Sequence, residues 1–231
     1  MNTTSPISNT KFIENQNQWN LVATELQKEN KKILSYDEVL LQQTNWQGKK
    51  VLDYGSGPGV LGETLQKFGA CIKSFDVSKD MREQAGQKIG LSNVYESILE
   101  IPHAEFDVII CNLVLCIVSE QEVEKILSNI RMFLKPGGHT FVGFCNPKIF
   151  NIAETQLDFR FFSGQAYTEN HHYKKIKKEG LYKITENHRP VEWYTKKFYE
   201  TGLILLDIIL TPEYQIRGQK INDFIIFKLG K

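Results

Sequence analysis

A glycine-rich turn preceded by an acidic residue is the feature of this sequence best suited to chemistry. The stretch Val51-Leu52-Asp53-Tyr54-Gly55-Ser56-Gly57-Pro58-Gly59 begins with an apolar run that predicts a strand, and a helix-like segment follows it. Glycines between a strand and a helix let the chain turn sharply and let a ligand approach the backbone closely. A binding site is therefore expected above this turn, at Gly55, Gly57 and Gly59.

Asp53 indicates the charge of the ligand. Gly57, Gly59 and Gly62 also satisfy the dinucleotide-binding spacing, but a dinucleotide would place a pyrophosphate at this turn, where a carboxylate opposes its charge. S-adenosylmethionine instead carries an ammonium and a sulfonium group, both of which an acidic side chain favours. The alternative role for Asp53, tying the loop amides together, stays open.

Asp76 is a second acidic residue, at the end of a predicted strand over 71–75. An acidic side chain in this position can accept hydrogen bonds from both hydroxyls of a ribose, which nicotinamide dinucleotides and S-adenosylmethionine share. Asp76 thus predicts a nucleoside cofactor without choosing between the two. Its alternative role is to cap the following helix, for which Ser78 is the predicted N-cap.

Strand-like and helix-like segments alternate around these residues, a pattern typical of a parallel sheet covered by helices. Ser119 and Glu122 form a capping-box pattern, and we expect the helix that they begin to end at a turn over 135–138. We predict strands at 50–54, 71–75, near Val94, 107–111, 140–144, 203–210 and 221–229, and helices from the glycine turn to Phe68 and at 78–89, 119–134 and 191–201. The segment 211–220 is long enough for a hairpin-type link.

Four motifs in this order resemble the class I S-adenosylmethionine-dependent methyltransferases, closest to the groups that act on small molecules. They are Asp53-x-Gly55-x-Gly57-x-Gly59, then Asp76, then Phe106-Asp107-Val108-Ile109, then Leu134-Lys135-Pro136-Gly137-Gly138. The resemblance covers roughly residues 48–145. It implies an α/β, Rossmann-like fold: a seven-stranded, mostly parallel sheet with an antiparallel last strand, helices on both faces and a small cap insert after the fifth strand.

A single methyltransferase domain over residues 1–231 is the organisation that this resemblance implies. Its parts would be N-terminal helices over the site (1–47), a cofactor-binding core (48–145), a cap insert on the substrate side (146–190), and a last helix with the strands that complete the sheet (191–231).

The resemblance also implies which residues bind the cofactor. The glycine loop would hold the methionine part, Asp76 the ribose, and the strand ending near Asn112 would lie beside the sulfonium. Met81 stands where the family often places an apolar residue against the adenine, and Trp19 would help the N-terminal helices close the site. The full predicted set is Asp53, Gly55, Gly57, Gly59, Asp76, Val77, Met81, Ser97, Ile98, Asn112 and Trp19.

Two positions depart from the family pattern. Ser97 stands where many relatives have an acidic residue that contacts the adenine amine, so adenine recognition would depend on Ser97 and on backbone groups near Ile98. Cys116 stands where relatives often have a histidine, so no role of that histidine is transferred to this chain.

The methyl acceptor would lie under the aromatic-rich segment 146–190, which interrupts the core at the carboxyl ends of the strands. The stretch 186–194 resembles one found before the last helix of small-molecule methyltransferases. We therefore expect a small acceptor with an oxygen or nitrogen nucleophile. Its predicted contacts are Tyr167, Tyr173 and Arg189, and the predicted catalytic bases are His172 and His188, because histidine moves protons near neutral pH.

Two alternative functions remain at the level of sequence. The basic, aromatic stretch 173–183 is compatible with an RNA methyltransferase, although a net charge of +1 gives no general attraction to nucleic acid. A non-catalytic subunit that keeps only cofactor binding is the second alternative. A protein acceptor and nicotinamide chemistry are weaker ones.

Several other properties are expected from what the sequence does not contain. No apolar run approaches the ~20 residues of a membrane-spanning helix, and residues 1–10 lack the pattern of a signal peptide. The four cysteines stand singly in apolar surroundings, which is typical of buried, reduced thiols. No metal site is expected at His171-His172, since no further ligands complete a set. We expect a cytoplasmic monomer or homodimer.

Overall fold

The computed structural model describes residues 19–20, 22–23, 35–146, 149, 152, 159–161, 172–177, 183–187 and 189–231, with the backbone alone at 35, 159–161, 172–177 and 183–186. The α-helices with described bounds are α1 (Ser35–Leu41), α2 (Val60–Lys67), α3 (Lys79–Ile89), α4 (Glu120–Phe133) and α5 (Val191–Glu200). Residues 19, 20, 22 and 23 are also helical. Among the described residues, no helix is both long and apolar enough to cross a lipid bilayer.

Seven strands form the central sheet in the order β3-β2-β1-β4-β5-β12-β9. The smaller sheets are β6-β7-β8 and the hairpin β10-β11. The strands are β1 (Lys50–Tyr54), β2 (Cys71–Phe75), β3 (Val94–Tyr95), β4 (Phe106–Asn112), β5 (Leu134–Cys145), β6 (Phe159–Phe161), β7 (His172–Lys177), β8 (Lys183–Asn187), β9 (Ile204–Leu210), β10 (Tyr214–Ile216), β11 (Gln219–Ile221) and β12 (Phe224–Gly230).

The predicted sheet is confirmed. β1, β2, β3, β4 and β5 run parallel, whereas β12 pairs antiparallel with both β5 and β9. The central strands β1 and β4 are buried along almost their whole length, as expected for strands covered by helices on both faces. The segment between β9 and β12 contains the β10-β11 hairpin, in agreement with the expected hairpin-type link.

Local capping signals set the starts of two helices as predicted. The Ser78 side chain accepts a hydrogen bond from the backbone N–H of Met81 at the start of α3. Ser119 and Glu122 form both bonds of a capping box at the start of α4. These caps satisfy backbone donors that have no partner within the helix, so they fix where each helix begins after its strand.

The predicted turn at 135–138 is wrong. β5 begins at Leu134 and runs through this segment, so the strand is longer than the predicted 140–144. Gly137 has a φ of 76°, and the pairing of β5 with β4 shifts register between Phe106 and Val108. The proline and glycines therefore lie in a bulge of β5: Leu134 pairs with Phe106 and His139 with Val108, and the register gives residues 135–138 no partner in β4.

The expectation of buried thiols holds for Cys111, Cys116 and Cys145, but Cys71 is exposed. Cys71 is the first residue of β2, where the chain passes from a surface turn into the sheet. No disulfide joins the four cysteines, all of which lie in the described part of the chain.

Two hydrophobic layers pack against the opposite faces of the sheet. One contains α1 and α2 and is built on Tyr36, Leu40, Leu65, Val108, Ile110, Phe141 and Ile226. The other contains α4 and α5 and is built on Leu52, Ile109, Leu127, Ile130, Val142, Phe198 and Phe227. Alternate residues of each strand face opposite layers, so the sheet is packed closely on both faces. This packing fixes the carboxyl edge of the sheet, where the glycine turn lies.

Candidate cofactor and acceptor site

The three glycines of the loop have different structural roles. All three have positive φ, at 79°, 52° and 78° for Gly55, Gly57 and Gly59. A β-carbon at Gly55 would lie 2.3 Å from Val114 Cγ2, and one at Gly59 would lie 2.7 Å from Ala85 Cα. A β-carbon at Gly57 would meet no atom within 4 Å. Gly55 and Gly59 thus permit close packing within the protein, whereas Gly57 presents its backbone to open space.

Asp76 anchors this loop. Its Oδ2 accepts a hydrogen bond from Gly57 N–H and its Oδ1 accepts one from Ser78 N–H, both at 2.9 Å. Burial raises the pKa of Asp76, and these backbone donors oppose the rise because they stabilise the carboxylate. The alternative role in capping is therefore present in the structure. Each carboxylate oxygen accepts two hydrogen bonds, so the predicted ribose contact stays compatible with this role.

Asp53 is a buried carboxylate at the end of β1, with 3% of its surface exposed. Burial, together with the nearby carboxylates of Asp37 and Asp76, raises its pKa to about 8. Asp37 belongs to α1, so a helix outside the glycine motif adds a second acidic group. A bound cation would favour the ionised form of Asp53 and lower this pKa.

Tyr36 is a residue of the site that the sequence did not reveal. Asp53 of β1 is paired with Ile110 of β4. Asn112 lies two residues after Ile110, so it is on the same face of β4, and it is paired with Gly143 of β5. The side-chain positions of Asp53, Asn112 and Gly143 therefore share one face of the sheet. A β-carbon at Gly143 would lie 2.0 Å from the Tyr36 ring, so the ring lies directly on this glycine. Burial of its hydroxyl raises the pKa of Tyr36, and the nearby carboxylates of Asp37 and Asp53 add to the rise.

Two polar atoms in this row have no hydrogen-bond partner in the described part of the chain. They are the Tyr36 hydroxyl and Asn112 Oδ1, and both are buried. Buried polar atoms are nearly always paired, because an unpaired one loses its hydration without compensation. These two atoms, with Asp53, therefore suit a polar and cationic ligand at the carboxyl ends of β1 and β4.

Comparison with known proteins identifies this arrangement. Residues 51–138 match a family described as "Methyltransferase domain". A protein of Vibrio vulnificus strain YJ016 named "Ubiquinone biosynthesis O-methyltransferase" is 35% identical over 123 residues, 50% of this chain and 52% of that protein. One of the same name from Shewanella sp. strain ANA-3 is 28% identical over 149 residues, 61% of this chain and 62% of that protein. The chain thus spans about half the length of the first of these relatives.

Solved structures share the fold at low sequence identity. An S-adenosylmethionine-dependent methyltransferase from Clostridium acetobutylicum has a TM-score of 0.63 and 14% identity, covering 93% of this chain and 98% of its own. The Burkholderia thailandensis 1,6-didemethyltoxoflavin-N1-methyltransferase has a TM-score of 0.63 and 11% identity, covering 99% and 91%. The chain therefore has the fold of S-adenosylmethionine-dependent methyltransferases, and its residues 51–138 match a methyltransferase domain.

S-adenosylmethionine fits the residues that this methyltransferase domain presents. Gly57 leaves room for a ligand to approach the backbone, and Asp76 holds that glycine in place. The unpaired Asn112 Oδ1 and the buried Asp53 suit the polar, positively charged part of the cofactor. No group of three or more His, Cys, Asp or Glu within the described ranges is arranged to hold a metal ion.

Helical residues near the N-terminus of the chain lie against the start of α3. Val22, Ala23 and Met81 form a small buried cluster, and half-buried Trp19 packs against it. Asn20 Oδ1 accepts a 2.5 Å hydrogen bond from the Ser78 hydroxyl. The structure thus brings together two predicted cofactor residues, Trp19 and Met81, that are far apart in the sequence.

The remaining predicted cofactor residues lie beside the same edge of the sheet. Ser97 Oγ accepts a hydrogen bond from Leu99 N–H at 3.2 Å and caps a short 3-10 helix, Ile98–Glu100. Ser97 and Ile98 are half-buried, as is Val77 after β2. The Ser97 hydroxyl can still donate a hydrogen bond, so its predicted contact with adenine stays a prediction.

Arg189 has a structural role that the sequence did not predict. It is buried, and its guanidinium donates to the carbonyls of Leu115 and Val118 at 2.9 and 2.7 Å. The group also stacks on Trp193, with 4.8 Å from Cζ to the ring centroid. The donors of this guanidinium are directed into the protein, which argues against the predicted contact of Arg189 with the acceptor.

The other predicted acceptor and base residues are described only in part. Tyr167 and His188 lie outside the described residues, and His172 and Tyr173 are described by their backbone, at the start of β7. In the pairing of β7 with β8, His172 lies opposite Asn187. Asn187 N–H donates to the carbonyl of Cys116 at 2.6 Å, so the backbone of His172 is one strand away from the chain that follows β4.

Proposed function

We propose that this chain transfers the methyl group of S-adenosylmethionine to a small-molecule acceptor, at an oxygen or nitrogen atom, and releases S-adenosylhomocysteine. The observation that carries the proposal is the open backbone of Gly57, held by Asp76 beside the buried Asp53 and the unpaired Asn112 Oδ1. This set favours a cationic nucleoside ligand over a pyrophosphate.

Two similarities support a small acceptor. The relatives named for ubiquinone biosynthesis are O-methyltransferases, and the Burkholderia neighbour is an N1-methyltransferase described with bound 1,6-didemethyltoxoflavin and S-adenosylhomocysteine. We infer an acceptor of similar size, with an oxygen nucleophile favoured by the more similar relatives. A cytoplasmic location, a monomeric or homodimeric state and the domain limits 1–47, 48–145, 146–190 and 191–231 are part of this proposal.

The mechanism requires the residues mainly to orient the reactants. When bound, the cofactor supplies a methyl group activated by its sulfonium. Asp76 would orient the ribose while it holds Gly57, and Asp53 would balance the positive charge near the carboxyl end of β1. For a hydroxyl acceptor, His172 or His188 would remove the proton, with the β6-β7-β8 sheet as the acceptor-side cap.

Calorimetric titration with S-adenosylhomocysteine tests the cofactor assignment. We expect binding by the wild type and a loss of about tenfold or more in Asp76→Ala, because this change removes the carboxylate that holds Gly57 N–H. Glu83→Ala, which removes an exposed carboxylate from α3, is the matched control and should bind as the wild type does. Tight binding of NADH without binding of S-adenosylhomocysteine would refute the proposal.

A further inference from the structure

Two residues that are distant in sequence, Asn187 at the end of β8 and Arg189 just after it, hold the chain between β4 and α4. We define the 114–118 turn by the hydrogen bond from Ile117 N–H to the carbonyl of Val114. Asn187 donates from its backbone to the Cys116 carbonyl at 2.6 Å and from Nδ2 to the Val118 carbonyl at 2.8 Å. Arg189 donates to the Leu115 and Val118 carbonyls at 2.9 and 2.7 Å.

These four hydrogen bonds are donated to the backbone carbonyls of three residues of the turn, Leu115, Cys116 and Val118. Leu115 is fully buried and Cys116 is 6% exposed, so water has little access to this part of the turn. A buried carbonyl that loses its donor is costly, and a guanidinium is a stronger donor than a neutral amide. Asn187 and Arg189 are therefore required for the conformation of the turn.

The 114–118 turn also contacts the cofactor loop. Val114 lies against Gly55, close enough to exclude a β-carbon there. The preceding residue, Leu113, has a φ of 58°, which is strained for a residue with a side chain. Such a conformation persists only where the surrounding contacts enforce it. Leu113 N–H donates to the Gly143 carbonyl at 2.8 Å on one side, and the 114–118 turn holds the chain on the other.

Arg189 is itself fixed to a rigid element. Its guanidinium stacks on Trp193 in the first turn of α5, and the next residue, Tyr194, is buried with its ring centroid 4.2 Å from that of Phe144 in β5. Asn187 is the last residue of β8 and pairs with His172 of β7. The two residues thus join the 114–118 turn to both α5 and the proposed acceptor-side sheet.

We propose that Asn187 and Arg189 are positioning residues of the methyl-transfer site. They hold the 114–118 turn against Gly55 and so keep Asn112 and the glycine loop in the conformation that binds the cofactor. The same hydrogen bonds fix the β7-β8 sheet, with the backbone of His172, relative to that loop. This inference rests on the proposed function, because it assigns these residues to the cofactor site of a methyltransferase.

Two variants test the inference by binding and by hydrogen exchange. Arg189→Met removes both guanidinium bonds, and Asn187→Asp removes the Nδ2 donor with little change of shape. We expect about tenfold weaker binding of S-adenosylhomocysteine in calorimetry. Mass spectrometry should show faster amide exchange in peptides that contain 113–118, while exchange in the central strands changes little.

Lys197→Met is the matched control. Lys197 lies over the same Trp193 ring, 5.5 Å from its centroid, but its ion pairs are with Glu120, Glu124 and Glu200. It should keep the wild-type affinity and the wild-type exchange of 113–118. Arg189→Lys, which keeps the charge but loses the two-pronged donor, should recover part of the affinity lost in Arg189→Met.

Unchanged affinity for S-adenosylhomocysteine in both test variants would overturn the inference. A loss of affinity accompanied by an equal rise in amide exchange throughout the protein would also overturn it. If Arg189→Met does not fold, Asn187→Asp carries the same comparison. If the wild type does not bind S-adenosylhomocysteine, the proposed function fails, but the exchange of 113–118 still decides whether Asn187 and Arg189 hold the turn.

Discussion

The buried acids of the cofactor site differ in what surrounds them. Burial raises the pKa of Asp76, and its two backbone hydrogen bonds offset part of this rise because they favour the charged form. Asp53 is dominated by burial and by neighbouring acids, which favour its neutral form. A cationic ligand can therefore be bound beside Asp53 while Asp76 holds the glycine loop through Gly57 N–H.

Stability should depend on pH through Asp53. Its pKa is raised from 3.8 to about 8, so the folded state binds a proton that the unfolded state releases between these values. Stability gained from this proton is present below the unfolded pKa and is lost as the pH rises towards 8. Asp53→Asn cannot ionise, so it should lose less stability than the wild type from about pH 5 to about pH 8, measured by urea unfolding.

The same proton should affect ligand binding. A cationic ligand favours ionised Asp53, so S-adenosylmethionine should bind the wild type more tightly at about pH 8 than at about pH 6. Asp53→Asn should remove this difference in calorimetry. Parallel pH profiles of stability and affinity in the wild type and the variant would show that Asp53 does not carry the proton.

Contacts between elements decide how α1 reaches the site. The helix is only seven residues long. An isolated helix of that length is not stable in water, so packing against the rest of the protein must hold it in place. Tyr36 supplies this packing, since its ring lies on Gly143 of β5 and meets Phe224 of β12 edge-on, with 5.9 Å between the ring centroids. The absence of a side chain at residue 143 is therefore what lets α1 bring Asp37 close to Asp53.

A double-mutant cycle tests this contact. Gly143→Ala would place a methyl group 2.0 Å from the Tyr36 ring and should reduce the free energy of unfolding by about 2 kcal/mol. In a Tyr36→Ala background, which removes the ring, the same change should cost less than about 0.5 kcal/mol. Urea unfolding of the four proteins provides the measurement. Equal costs in the two backgrounds would mean that Tyr36 and Gly143 do not contact each other.

The net charge of the chain helps to distinguish the proposed function from the alternative of an RNA methyltransferase. The chain has 28 Lys and Arg against 27 Asp and Glu, a net charge of +1. Nucleic-acid binding depends strongly on neutralising phosphates, and this balance provides no overall positive field for it. A small acceptor, in contrast, requires only a local site.

RNA binding should therefore be absent even at low salt. We expect no retention of a structured RNA by filter binding, with a basic RNA-binding protein as the positive control. Binding whose affinity falls steeply as salt increases would favour the RNA methyltransferase and count against a small-molecule acceptor.

Local sequence patterns were enough to predict the sheet, the capped helix starts and the glycine loop. Each depends on local patterns: an apolar run for β4, Ser78 and Ser119 as caps, and glycines where φ is positive. The same local reasoning predicted a turn at 135–138, whereas β5 begins at Leu134 and contains a bulge there. Proline and glycine interrupt the pairing of the strand without ending it, because β5 pairs with β4 on both sides of the bulge.

The roles of the loop glycines, α1 and Arg189 depend on tertiary contacts. Gly57 differs from Gly55 and Gly59 because of Val114 and Ala85, which are distant from the loop in sequence. Tyr36 enters the site because Gly143 leaves room for it, and Arg189 faces the 114–118 turn rather than an acceptor. These assignments depend on contacts between residues far apart in the chain, which spacing along one sequence does not encode.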